Sequence, residues 1–177
     1  AADSIEHHAD ALRTAFPETL GPLDMHRRRP DGNTLYWQLV IPGRSPWRSP
    51  YPFLIEWALP DTQRLAVETP GTHENGASAA KALTVSAPRA ELAAIRTIYR
   101  ERFGLREKAS NEFEIGPFTI GLAEGEATGP TNLAIAVDDL GAAEQLLVSR
   151  EVGVGRDNNA LRIDPAACCG AQITLVP

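Results

Sequence analysis

Glu56 stands between Ile55 and Trp57 in the run Tyr-Pro-Phe-Leu-Ile-Glu-Trp-Ala-Leu, residues 51–59. Successive side chains of a strand point to opposite faces, so this carboxylate faces away from both apolar neighbours. Two readings are open for it: an ordinary solvated strand residue, or a base or metal ligand. Tyr36 and Gln38 share one face of the run 34–41, with Trp37 on the other. Trp37 and Trp57 either pack a core or line an apolar cleft for a small molecule. His73 is followed by Glu74. Imidazole as a side-chain type suits a metal ligand or general base; the other reading of His73 is a solvated linker residue. Arg27-Arg28-Arg29 is either a solvated strand edge or a patch for carboxylate or phosphate, because guanidinium pairs with both in a bidentate manner. His26 precedes the run and is placed to join such an anion site. Cys168 and Cys169 are adjacent. A reactive thiol needs a nearby base or cation, and the alternative is two small residues at a bulge ahead of the last strand.

The elements that must position these groups follow from pattern. Ile5, Ala9, Leu12 and Phe16 recur at helical spacing behind an Asp3/Glu6 capping signal, and Pro17 and Gly21 end the helix. Strands 23–29 and 34–41 flank the turn Pro30-Asp31-Gly32-Asn33. A third strand is expected over 51–59. Residues 61–80, with Pro70, Gly71 and Gly76, show no period and read as a linker. Beyond it come a strand at 82–87 and a helix after Pro88 bearing Leu92, Ile95, Tyr99 and Phe103. Gly104 is its stop, and strands follow at 112–115 and 117–122. The pattern then repeats. A strand at 132–137 leads to a helix capped by Asp138 or Asp139 and stopped by Gly153, then to strands at 159–163 and 171–176. The offset between the two copies is about 50 residues, the scale of an internal repeat.

Composition narrows the function classes. The 177 residues carry 17 Lys+Arg against 23 Asp+Glu, a net charge of −6, and are 43% hydrophobic. That is the composition of a globular protein, not a disordered tail. The acidic balance argues against nucleic acid. No apolar run approaches the ~20 residues of a membrane span. Two adjacent cysteines build no disulfide framework, and with the four histidines His7, His8, His26 and His73 they do not make a four-ligand zinc site. A reducing compartment, the cytoplasm, is the expectation.

The repeated unit of strand, helix and three short strands resembles the vicinal oxygen chelate superfamily, the glyoxalase, bleomycin-resistance and dioxygenase group. Arg28-Arg29-Pro30-Asp31-Gly32, Leu35-Tyr36-Trp37-Gln38-Leu39 and Pro52-Phe53-Leu54-Ile55-Glu56-Trp57 are similar to the second half of a glyoxalase-like domain. The stretch from Ala134 through Leu140 to Gly170 resembles the ending of such modules. The resemblance implies an α+β fold of repeated βαβββ modules, with curved mixed sheets and flanking helices. On that scheme 1–60 is a partial module lacking its first strand, 61–80 a linker, and 81–122 with 131–177 a pair of modules. The incomplete first unit implies a missing or separate N-terminal part.

Such proteins hold a divalent ion between the first and last strands of each unit, on the concave face. The resemblance therefore implies one divalent ion (Zn, Ni, Mn or Fe) or none. Glu56 and His73 are its candidate catalytic and metal-binding residues, and Arg28, Arg29, Tyr36, Gln38 and Trp57 its candidate substrate contacts. The paired modules offer no good ligand at Ala82, Leu83, Thr84, Thr119, Ile120 or Gly121; of Thr131, Asn132, Gln172 and Thr174 in the last one, Gln172 is a possible ligand, weak alone. Three functions follow as expectations. The first is a protein that binds a small oxygenated or carboxylated molecule. The second is a metal-dependent lyase, isomerase or dioxygenase completed by an N-terminal part or second subunit. The third is a metal-free dimerising module, a homodimer or one paired with an N-terminal module.

Overall fold

The computed structural model describes residues 4–44, 49–67 and 72–177. The chain divides into two compact units, Ala1–Pro70 with Thr97–Gly104, and Gly71–Arg96 with Leu105–Pro177. No helix among the described residues is long and apolar enough to cross a membrane.

The first unit opens with α1 (Ile5–Ala15), whose Ile5, Ala9 and Leu12 are buried at the spacing the sequence sets. Ser4 caps it by accepting the His7 N–H; Asp3, the expected cap, lies outside the described residues. Strands β1 (Leu20–Arg28), β2 (Thr34–Ile41) and β3 (Leu54–Trp57) form an antiparallel sheet in the order β1-β2-β3. β3 is shorter than the expected 51–59 because only four of its residues find partners on β2, Trp37 to Val40. A short helix, α2 (Asp61–Val67), follows where the sequence shows no period. Seven residues span about two turns, too few to display one.

An aromatic cluster completes this unit. Tyr51 meets Phe16 at 4.6 Å, Tyr99 at 6.4 Å and Phe103 at 6.4 Å between ring centres. Tyr99 is fully buried and donates its hydroxyl to the Pro50 carbonyl. Burial, and secondarily the neighbouring Tyr51, push that hydroxyl above its ordinary value of 10.0. The folded phenol stays neutral where the unfolded one ionises. Its contribution to stability is therefore complete below about pH 10 and is lost as the pH rises beyond. The denaturation midpoint is expected to fall above pH 10 in the native protein and to fall less in Tyr99→Phe. An equal alkaline loss in both proteins would contradict this.

The second unit contains two successive copies of one pattern. β4 (Ala77–Ala87), α3 (Arg89–Glu101), β5 (Arg106–Ala109), β6 (Glu112–Ile115) and β7 (Phe118–Glu124) make the first, the end of α3 being counted with the other unit. β8 (Gly129–Val137), α4 (Leu140–Ser149), β9 (Val154–Asp157), β10 (Ala160–Ile163) and β11 (Gln172–Val176) make the second. Their strands form one mixed sheet in the order β5-β6-β7-β4-β8-β11-β10-β9. The first strand of each copy runs parallel to its last, and the copies meet through antiparallel β4 and β8. This is the α+β architecture of repeated βαβββ modules that the resemblance implies.

Val137, Leu140, Ala143, Leu161 and Leu175 form the core of the second copy. Val85, Ile95, Phe113, Ile120 and Leu122 are buried in the first. Arg96 clamps α3 to β5 through two parallel bonds to Glu107, at 2.7 and 3.0 Å. Asp139, not Asp138, caps α4, accepting from the N–H groups of Gly141 and Ala142 at 2.7 and 3.0 Å. The left-handed residue that stops α4 is Glu151 (φ 59°), two positions before the expected Gly153. Val152 N–H closes the turn on Leu147 at 2.9 Å.

Candidate functional site

The β1–β2–β3 register carries three polar side chains across one row. Asp24 stands opposite Gln38, and Gln38 opposite Glu56. The next row holds His26 opposite Tyr36, whose backbone carbonyl accepts the Ala58 N–H at 3.0 Å. Asp24, Tyr36, Gln38, Glu56 and Ala58, with Met25, Trp37 and Trp57, line a concavity of ≈ 510 Å³. Five of the residues singled out in the sequence, Tyr36, Trp37, Gln38, Glu56 and Trp57, thus border one hollow. The hollow takes in lining from both faces of the sheet, since alternation puts Trp37 and Trp57 on the face opposite Gln38 and Glu56. There they pack 5.3 Å apart, and the Arg64 guanidinium lies 5.1 Å from the Trp57 ring centre.

Val40 and Leu54 are the next residues along on the Gln38/Glu56 face, and they pack against Ile5, Ala9 and Leu12 of α1. One end of the face is therefore sealed by the helix and the other is open. The resemblance implies a site on a helix-free concave face. Glu56 instead shares its face with the residues under α1.

Hydrogen bonding fixes the polarity of this hollow. Gln38 Nε2 donates to Asp24 Oδ1 at 3.0 Å, which commits one amide proton and leaves Oε1 as an acceptor. Among the described residues no hydrogen bond or ion pair engages the Glu56 carboxylate. Among the described residues the lining contains two carboxylates and no cation. Acceptors dominate, so the complementary ligand offers hydroxyl or ammonium protons.

The arginines do not join it. Arg28 is exposed and stands opposite Thr34, two rows from Asp24, about 13 Å along the strand. Arg29 is tied into the hairpin turn by its contact with Asp31 at 3.2 Å. The Asn33 backbone N–H, bonded to Asp31 at 3.0 Å, is the main cause holding that carboxyl below its usual value.

His73 belongs to the second unit, where it is exposed and its carbonyl accepts the Gly76 N–H. It borders a hollow of ≈ 280 Å³ with Glu74, Asn75, Leu146, Leu147 and Arg150. Glu74, its expected helper, is paired with Arg150. Cys168 ends a short 3-10 helix (Pro165–Cys168), and Cys169 follows it in a left-handed conformation at φ 52°. Both thiols are free.

Asp24 is the lining residue that sequence reasoning missed. Its signal is countable: pairing outward from the Pro30–Asn33 turn sets Arg28 against Thr34 and so Asp24 against Gln38.

The donor set does not fit a resident divalent cation. Among the described residues no three or more His, Cys, Asp or Glu side chains gather where they could hold one. In the second unit the paired first and last strands set Thr84 beside Gly121 and Asn132 beside Gln172. None of these offers a negative charge or an imidazole to offset dehydration of the ion.

A crystal structure of a hypothetical protein from Staphylococcus aureus covers 99% of this chain at 15% identity, with a TM-score of 0.66. The chain spans 62% of that protein's length. Methylmalonyl-CoA epimerase from Mycobacterium tuberculosis covers 57% of the chain, and the match takes in 88% of the epimerase, at 17% identity and a TM-score of 0.46. Homoprotocatechuate 2,3-dioxygenase from B. fuscum covers 60% of the chain at 17% identity, over 34% of its own length, with a TM-score of 0.47. No curated protein matches the chain. The model of the glyoxalase-like domain family matches residues 1–101, more than half of the 177. That span contains the whole Asp24–Gln38–Glu56 row, and by it the chain belongs to the glyoxalase-like domain family.

Proposed function

We propose that this protein binds a small, neutral, hydroxylated molecule in the hollow of its first unit, with Glu56 as the principal acceptor and no metal ion between them. The Asp24–Gln38–Glu56 row carries the reading. Gln38 spends a proton on Asp24, so the row presents acceptors on both sides of a central amide. A carboxylate accepts two O–H donors side by side, which suits a pair of vicinal hydroxyls. Tyr36 adds a hydroxyl and ring edge at the rim. The ≈ 510 Å³ volume is in the range of small-molecule sites. A carboxylated ligand is disfavoured here, because Asp24 and Glu56 repel it and neither Arg28 nor Arg29 reaches the lining.

The test uses the tryptophans beside the site as reporters. Titration with cis-1,2-cyclohexanediol or myo-inositol is expected to change Trp fluorescence saturably. Glu56→Gln is expected to weaken that binding at least tenfold, a loss of about 1.4 kcal/mol. It should leave the far-UV circular dichroism unchanged, since the side chain is exposed. Undiminished affinity in the variant would overturn the role of Glu56, and failure of both diols to bind would overturn the ligand class.

A further inference from the structure

The second unit carries a hollow of opposite polarity, and it does not depend on the site above. Ile173 and Leu175 of β11 and Leu161 and Ile163 of β10 pack with the α4 core. Alternation therefore turns Gln172, Thr174 and Arg162 to the face that α4 leaves open. Register sets Arg162 opposite Thr174, and Asn132 of β8 beside Gln172. Arg162, Asn132, Gln172 and Thr174 border a hollow of ≈ 410 Å³, whose lining is completed by Ile163, Pro165 and Ile173.

The hydrogen bonds of these residues decide what the hollow presents. Thr174 Oγ1 donates to Asn132 Oδ1 at 2.9 Å. The acceptor end of the amide is thereby occupied, and both Nδ2 protons are left to point elsewhere. Arg162 contacts Asp157 at 2.5 Å through Nη2. Its remaining N–H groups are uncommitted among the described residues, and Asp157 is not part of the lining. The Gln172 amide adds further donors. Among the described residues the lining has a cation and no carboxylate.

We infer that this hollow is a carboxylate-binding site, in which Arg162 supplies charge and Asn132 and Gln172 supply directed N–H donors. These are the strands on which the family resemblance implies ligands for a cation. Here they offer donors for an anion. Thr174 orients the Asn132 amide, and Asp157 restrains the Arg162 head.

The experiment follows the side-chain amide resonances of Asn132 and Gln172 in 15N-labelled full chain during titration with acetate, succinate and benzoate. Chloride is held at matched ionic strength. At least one carboxylate is expected to shift both sets of resonances saturably. Asn132→Asp, which replaces the donor by a like charge, and Arg162→Gln are each expected to weaken binding at least tenfold. Thr174→Val is expected to weaken it less, by freeing the amide to rotate. Non-saturating shifts with all three probes would overturn the site. So would affinity unchanged in both Asn132→Asp and Arg162→Gln. Inorganic phosphate binding as tightly as the best carboxylate would overturn the ligand class. A misfolded variant is recognised by collapse of its backbone amide dispersion, and the other variant then decides.

Discussion

Phe113→Ala is expected to destabilise the second unit by about 3–5 kcal/mol, the usual cost of emptying a fully buried aromatic site. Phe113 is 0% exposed and stands on β6 opposite Ile120 of β7, itself buried. β6 is only four residues long, and Phe113 is its one buried side chain. The loss combines apolar area returned to water with a cavity that short strands fill by shifting. Urea denaturation followed by circular dichroism checks it, with an unchanged slope and a lower midpoint as the expected signature. Because Phe113 lies in the second unit, diol binding in the first is expected to survive at urea concentrations below the transition. A loss under 1 kcal/mol would show that β6 repacks without cost.

Gly21→Ala is expected to damage the first unit and its site together. Gly21 has φ +100°, where a non-glycine residue costs about 1–3 kcal/mol on backbone grounds alone. A methyl group there would also sit 2.2 Å from the Leu39 carbonyl oxygen of β2. That atom is backbone, so the contact is relieved only by moving β1 away from β2. The irregularity between Leu20 and Leu23 lies directly beside Asp24, so parting β1 from β2 there disturbs the Asp24–Gln38 pair whose register the Pro30–Asn33 turn sets. The variant is therefore expected to lose diol binding at least as severely as Glu56→Gln, and to unfold at lower urea. Wild-type binding with intact stability would show that the register does not depend on Gly21. The contrast with Phe113→Ala matters: one substitution removes stability and spares the site, and the other removes both.

Much of this arrangement is legible in the residues themselves. The turn Pro30-Asp31-Gly32-Asn33 has its own chemistry, so β2 begins and ends where the sequence sets it, and Gln38 meets Glu56 as alternation requires. The helix faces read the same way: Ile5, Ala9 and Leu12 are buried, as are Ile95 and Tyr99. What escaped depends on partners far along the chain. Ala77 to Lys81 carry weak strand preference, yet they extend β4 because β8 offers a ladder, taken up with irregularities at Ala77/Ala79 and Ala80/Ala82. β5 is a four-residue strand of Arg, Glu, Lys and Ala, fixed by β6 and by the Arg96–Glu107 clamp rather than by any period. Among the residues proposed for the site, alternation alone puts Tyr36 and Gln38 on one face and turns Glu56 away from Ile55 and Trp57. Polarity could not be read that way, because it rests on which amide end is occupied: Nε2 of Gln38 by Asp24, Oδ1 of Asn132 by Thr174. His73 illustrates the reverse case. Its residue type invites a chemical role, and its surroundings are a surface turn and an ion pair between Glu74 and Arg150.

The measurement that bears most directly on the central claim is calorimetric titration of the metal-stripped protein with a vicinal diol in excess EDTA, repeated with Zn, Ni, Mn or Fe(II) and no chelator. The account predicts the same saturable binding in every arm, and its loss in Glu56→Gln. Binding that vanishes in EDTA and returns with one of the ions would contradict it. Glu56 would then be a metal ligand completed by groups outside the row Asp24–Gln38–Glu56.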